Sequence, residues 1–360
     1  MTTMNESLID AAGPVRNGEE LDIARINAYL KVQIADLQGT PEVTQFPGGA
    51  SNLTYRLRYP NRDLILRRPP FGHKAKSAHD MGREAKVMRG LKPVYPRVPN
   101  VLAFCQDATV MDSDFYVMDR LVGIIARQNL PKDLNFGPEQ TRQLCCNVID
   151  KLIELHQVDP TAAALADLGK GDGYVRRQIE GWSQRFRAAR TDDVTDFDSV
   201  MRWLEAKQPA REVATCIIHN DFRFDNVVLN PDNPFEVTGV LDWEMATLGD
   251  PLMDLGNSLA YWVQADDDEL FKKTRRQPTN APGMLTRREV IAYYGERTGW
   301  SVDNFDFYTI YGLFRLAVIV QQIYRRYKDG ATRNPQFAGF GALVSYFDQR
   351  CQTLIAASTL

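Results

Sequence analysis

The most chemically loaded stretch of the chain is His219-Asn220-Asp221-Phe222-Arg223-Phe224-Asp225-Asn226, the pattern HxDxxxxN. It is set between the apolar runs Cys216-Ile217-Ile218 and Val227-Val228-Leu229. A third apolar run, Val237 to Leu241, ends in Asp242. A hairpin turning at Pro231-Asp232-Asn233-Pro234 brings Asn226 and Asp242 side by side. One amide oxygen and one carboxylate suit Mg²⁺, which keeps several waters and takes only one or two carboxylates from a protein. Asp221, on the loop before the hairpin, is placed to orient a hydroxyl and accept its proton. Arg223 lies two residues beyond, within reach of a γ-phosphate, and His219 is expected to brace the loop by hydrogen bonds. These are the parts of phosphoryl transfer from a nucleotide, which asks for positioning and charge neutralisation more than for covalent chemistry. The competing reading is a chance string with Arg223 as a surface guanidinium; the flanking strands and the Asp242 hairpin count against it.

The elements that must position these groups precede and follow that stretch. After a polar lead-in over residues 1–20, expected to be mobile, residues 21–34 carry apolar side chains at helical spacing. Strand textures over 42–46, 53–59 and 63–67 predict a small antiparallel sheet. Between the first two lies Pro47-Gly48-Gly49-Ala50-Ser51-Asn52. Gly48 and Gly49 let backbone N–H groups approach phosphates, with Ser51 and Asn52 at the tip; a plain hairpin turn is the alternative. Arg67, or Arg68 beside it, ends the third strand, and Glu84 lies in a helix over 82–91. The basic residue and the acid form the pair expected to hold the α- and β-phosphates. An arginine there keeps the charge of the more usual lysine but replaces a point cation by a planar fork. Strands over 98–105 and 115–118 then lead into Met118-Asp119-Arg120-Leu121, a linker whose backbone would meet the edge of an adenine.

Beyond the linker the chain is mainly helical. Helices over 174–190 and 199–207 are inserted before the catalytic strand, forming a substrate-side segment over 174–208. The first is rich in arginines interleaved with aromatics. Arg176, Arg177 and Trp182 are the candidates for a wall that grips an anionic, partly flat acceptor; a solvated charged face is the alternative. His156 is expected to be a packed or capping histidine, residues 266–278 a charged, loose loop, and 307–327 and 337–355 helices behind the hairpin.

In this order the motifs resemble the protein-kinase-like superfamily, in the form found in aminoglycoside phosphotransferases and choline kinases. Asn220 stands where protein kinases carry Arg, Arg223 where they carry Lys, and Asp242-Trp243-Glu244 where they carry DFG. In LDWEMATLGDPLMDLG, Leu241 to Gly256, Asp250-Pro251 and Asp254 match a family element that buttresses the site. RPPFGHKAKSAHDMGREAKVM, HNDFRFDN and LDWEMATLGDPLMDL together are most similar to the phosphotransferase domains fused to certain acyl-CoA dehydrogenases and to their free-standing bacterial relatives. The resemblance implies an α+β, two-lobed protein-kinase-like fold. Residues 21–118 would form an N-terminal antiparallel sheet with helix, 119–122 the linker, and 123–360 a larger, mainly helical lobe. Met118, Asp119 and Leu121 would then line the base site. The implied activity is an ATP- and Mg²⁺-dependent kinase for a small-molecule hydroxyl, with a hydroxyacyl thioester or hydroxy acid as acceptor. An aminoglycoside, choline or sugar kinase is the alternative within the class, and a nucleotide-binding module without catalysis the alternative outside it. The short span from Asp242 to Asp250 leaves no room for the long activation segment of a protein kinase.

Composition bounds the same reading. A chain of 360 residues suits two lobes rather than one small core. A net charge of −3 gives no general pull toward nucleic acid or anionic membrane. Five cysteines without a CxxC pair imply reduced thiols. With no secretory pattern at the N-terminus and no apolar run of roughly 18 residues, the expectation is a cytoplasmic protein. The choice of ATP over GTP and the oligomeric state are not written in these features.

Overall fold

A computed structural model describes residues 9–47, 52–71 and 80–360. The smaller lobe is built from α1 (Ile23–Gln33), β1 (Glu42–Gln45), β2 (Leu53–Arg58), β3 (Asp63–Arg68), α2 (Met81–Leu91), β4 (Val101–Cys105) and β5 (Phe115–Asp119). Its five strands run antiparallel in the order β1-β2-β3-β5-β4. Successive side chains of a strand face opposite sides of a sheet, and that alternation splits the lobe into two packed faces. Tyr55, Leu57, Leu64, Leu66, Phe115 and Val117 pack with Ile26 and Leu30 of α1. Ile65, Tyr116 and Met118 face the other way and join Met81, Ala85 and Met88 of α2 in the core that continues into the larger lobe.

The larger lobe holds α3 (Pro138–His156), α4 (Tyr174–Ala189), α5 (Asp198–Ala206), β6 (Cys216–Ile218), β7 (Val227–Leu229), β8 (Val237–Val240), β9 (Thr247–Gly249), α6 (Pro251–Ala260), α7 (Glu269–Lys273), α8 (Arg287–Thr298), α9 (Asp306–Lys328) and α10 (Phe340–Ala357). The β7–β8 hairpin pairs Val227 with Val240, and β6 pairs antiparallel with β9. The chain thus returns beside the catalytic strand directly after Asp242. Asp250 caps α6 through the N–H groups of Leu252 and Met253, with Pro251 in the first turn. Two glycines let α6 and α9 cross at near backbone contact: a Cβ at Gly312 would stand 2.2 Å from the Gly256 carbonyl oxygen. No helix among the described residues is long and apolar enough to cross a membrane.

Two expectations from the sequence are corrected here. The lead-in over 1–20 was expected to be mobile, but residues 9–20 are fastened to both lobes through Ile9, Asp10, Gly13 and Glu19; residues 1–8 lie outside the described residues. The acidic run at 266–278 is not a loose loop. Asp267 pairs with Arg287 and Arg350, Asp268 caps α7, and buried Gln277 accepts from the Phe224 N–H. In both places the ordering comes from partners distant in sequence.

Candidate active site

The catalytic loop is fixed from beneath by one carboxylate. Asp254, fully buried in the first turn of α6, accepts from the backbone N–H groups of His219 and Asn220, both at 2.7 Å, and lies 3.0 Å from His156 Nε2. Burial alone would push this carboxyl up, but the bonds from His156 and the loop outweigh it and hold Asp254 below the ordinary carboxylate range. Asn220 adopts a left-handed φ of 65°, a conformation asparagine tolerates better than most residues. Its side chain is gripped by Tyr174, Asn257 and the Met245 carbonyl.

His219 is buried, and desolvation lowers its pKa. Its Nε2 donates to the Leu241 carbonyl at 3.0 Å while Nδ1 accepts the Asp221 N–H at 3.2 Å, an assignment that follows from the two partners. A neutral imidazole therefore ties the loop to the hairpin, the bracing role expected of it.

Asp221 projects from this platform. The Asn226 amide donates to its carbonyl at 2.9 Å and to its carboxylate at 3.1 Å. Arg223 stands 3.3 Å from both Asp221 and Asp225 and lies over the Tyr261 ring. Burial raises the Asp221 carboxyl to about 6, Asp242 and Asp225 add to the rise, and Arg223 and Arg315 oppose it. Such a carboxylate is a better proton acceptor than a free aspartate and still ionised at neutral pH.

Across the cleft, alternation along β3 decides between the two arginines. Arg68 shares the face of Leu64 and Leu66, where it is bonded to Asp112 and the Pro69 carbonyl. Arg67 shares the face of Ile65 and points into the cleft. Its two terminal nitrogens reach Glu84 at 2.7 Å and Asp242 at 3.1 Å. Burial pushes the Glu84 carboxyl up, and the adjacent guanidinium limits the rise without cancelling it. The arginine keeps its proton.

Asn226 and Asp242 were expected to hold Mg²⁺, and the donor set fits. With its nitrogen committed to Asp221, the Asn226 amide presents its oxygen, and Asp242 adds a carboxylate across the Val227–Val240 pair. No group of three metal-ligating His, Cys, Asp or Glu side chains occurs among the described residues. Mg²⁺ does not need one, because waters and phosphates complete its shell.

Arg67, Glu84, Asn226 and Asp242 line one cavity of about 220 Å³ together with Met118, Asp119 and Leu121 of the linker. Within the linker the Asp119 and Arg120 N–H groups are used by Asn100 and Asp63. That of Leu121 is left without a partner among the described residues.

Other expected site residues fall elsewhere. Gly48, Gly49 and Ser51 lie outside the described residues. Asn52, directly after them, is buried and donates to Glu244 at 2.9 Å, joining the two lobes. The expected acceptor wall on α4 stands apart from this cavity. A helix of period 3.6 separates what the sequence interleaves, so Tyr174, Trp182 and Phe186 are buried and the arginines are turned away. Arg176 is exposed beside Glu180, and Arg177 bonds the carbonyls of Gly171 and Asp172. None of Arg176, Arg177 and Trp182 lines the cavity.

A second cation acts on Asp221 besides Arg223: Arg315 of α9, which in the sequence reads as a polar break in an apolar run. It is buried, donates to the Asn220 carbonyl at 3.0 Å, lies over the Trp182 ring and has no ion-paired carboxylate among the described residues. A lone arginine between Phe314 and Leu316 on a core helix was the available signal.

The chain matches the family model described as "Phosphotransferase enzyme family" over residues 42–290. Acyl-CoA dehydrogenase family member 10 of Mus musculus is 34% identical over 316 residues, covering 87% of this chain and 29% of that protein. The chain thus spans less than a third of that relative's length. A candidate aminoglycoside phosphotransferase from Ralstonia eutropha superposes with a TM-score of 0.80 at 28% identity, over 95% of this chain and 100% of the other. The GDP and kanamycin complex of APH(2")-IIIa superposes with a TM-score of 0.59 at 16% identity, over 90% of this chain and 98% of the other, a likeness of fold.

Proposed function

The chain belongs to the phosphotransferase enzyme family, and from that premise we propose that it transfers the γ-phosphoryl group of ATP, with Mg²⁺, to a hydroxyl of a small anionic acceptor. The observation that carries this reading is the convergence of Asn226, Asp242 and the Arg67–Glu84 pair on one cavity, with the Asp221 carboxylate held 3.1 Å from the Asn226 amide. Asp221 takes the acceptor's proton, and Arg223, anchored between two carboxylates, offers a cation beside the transferring group. Asn226 and Asp242 would hold Mg²⁺, which supplies charge neutralisation at the phosphates. Arg67 holds the α- and β-phosphates, and the linker backbone at Asp119 and Leu121 meets the base.

For the acceptor, a hydroxyacyl thioester or hydroxy acid is supported by the acyl-CoA dehydrogenase relative and by Arg315, a buried cation beside Asp221. Arg315, buried and without an ion-paired carboxylate among the described residues, disfavours a polycationic aminoglycoside, because like charges in a desolvated site repel strongly. A nucleotide-binding module without catalysis is disfavoured by the complete set of Asp221, Asn226 and Asp242.

A thermal-shift screen with Mg-ATP plus hydroxyacyl-CoAs, choline, sugars and aminoglycosides tests the reading. Ligand at about 100 times its Kd adds about 2.7 kcal/mol to the folded state. Stabilisation by Mg-ATP and a hydroxyacyl compound is expected. A protein indifferent to Mg-ATP would remove the kinase reading, and stabilisation by aminoglycosides alone would remove the proposed acceptor.

The pH profile follows from Asp221. Its carboxyl must be ionised to accept a proton, so activity is lost as pH falls through its pKa, about 6 without nucleotide. A cation at Asn226 and Asp242 would draw that value down. The acid limb of kcat/KM is therefore expected at or below pH 6, with a plateau at neutrality. A limb above pH 7 would exclude Asp221 as the base.

A further inference from the structure

Residues 9–20 fold back along the cleft. Ile9 forms a bridge with Ile124, and Ile124 forms another with Leu229 of β7. Asp10 is held from two sides: its carbonyl accepts from Arg120 Nη2 at 3.0 Å, and its carboxylate pairs with Arg127 Nη2 at 2.8 Å. Farther along, Gly13 exchanges both backbone hydrogen bonds with Gln45 of β1. The buried Gln45 side chain accepts from the Arg16 N–H and donates to Glu19, and Tyr55 donates to the Glu19 carbonyl. The segment is a strap, fastened to the larger lobe at one end and to the smaller lobe at the other. Ile9, Asp10 and Arg127 line the same cavity as Met118, Asp119 and Leu121.

From this placement we propose that the strap is a working part of the nucleotide site. Ile9 and the Asp10–Arg127 pair close the linker end of the cavity over the nucleoside, and unseating them weakens nucleotide binding. The proposal rests on the nucleotide-binding reading above. Small-ligand sites owe their affinity to burying most of the ligand surface, and Ile9, Asp10 and Arg127 supply part of this cavity's wall. The strap is also held by charge: Asp10 meets cations from the linker and from the larger lobe. An arginine at position 10 would set like charges against Arg120 and Arg127 and push the segment off.

Calorimetric titration of the full chain with Mg-ADP and Mg-AMP-PNP tests this. Asp10→Arg is expected to raise both Kd values about tenfold, equivalent to about 1.4 kcal/mol. Adding Arg127→Asp restores the opposite-charge pair and is expected to recover most of that loss. Ile9→Gly, which removes the apolar wall and leaves the ion pair in place, is expected to weaken binding in the same direction, with a circular dichroism spectrum like the parent's. Parent-like affinity in Asp10→Arg, or a charge swap that recovers nothing, overturns the strap's role while the nucleotide reading stands. A parent that binds neither nucleotide overturns the nucleotide reading and the strap's role together.

Discussion

Asp221→Asn is expected to bind Mg-ATP like the parent and to lose phosphoryl transfer by roughly two to four orders of magnitude, the usual contribution of a positioned general base. The amide has the carboxylate's shape, and the Asn226 bond to the Asp221 carbonyl at 2.9 Å does not depend on the side chain. What is lost is an acceptor for the hydroxyl's proton, together with one of the two charges that seat Arg223. Nucleotide affinity by titration, with turnover measured on the acceptor found by thermal shift, separates the two effects. Turnover unchanged in this variant would take the base role away from Asp221; equal loss of binding and turnover would make it a structural residue.

The largest effect on stability is expected at Asp254. Asp254→Ala removes the acceptor shared by the His219 and Asn220 N–H groups and by His156, all of them buried. Truncating one partner of a buried charged network costs about 3–5 kcal/mol, because the groups left behind are desolvated and unpaired. The catalytic loop loses its platform in the same step, so activity is expected to fall even where the variant remains folded. Chemical denaturation reads the first effect and kcat the second. A parent-like denaturation midpoint would show that the loop is held by Asn220 contacts alone.

The centre of the site was legible because its parts are close in sequence: Asp221, Asn226 and Asp242 sit on one loop and one hairpin, between apolar runs short enough to be strands. The choice between Arg67 and Arg68 was not, because Leu64-Ile65-Leu66 is apolar on both faces and an unbroken run carries no period. Its phase appears only when β2 and β5 are laid alongside. Arg176, Arg177 and Trp182 show the converse: neighbours in sequence are parted by helical phase, which puts Trp182 in the core and Arg176 outside. Asn52 with Glu244, and the strap with Gln45 and Ile124, are pairings across long sequence separations that no local pattern announces.

The contact from Arg67 to both Glu84 and Asp242 has a thermodynamic corollary. On the proposed function, the carboxylate that would receive the metal already has a counter-ion, supplied by the chain itself. A divalent cation arriving alone must compete with that guanidinium, and a polyphosphate arriving alone gains it only by stripping Asp242. Arriving together, each relieves the other's cost, because the phosphates draw Arg67 away and the freed carboxylate receives the metal. Linkage would make the two affinities reciprocal, so on that proposal Arg67 would set a cooperativity between metal and nucleotide.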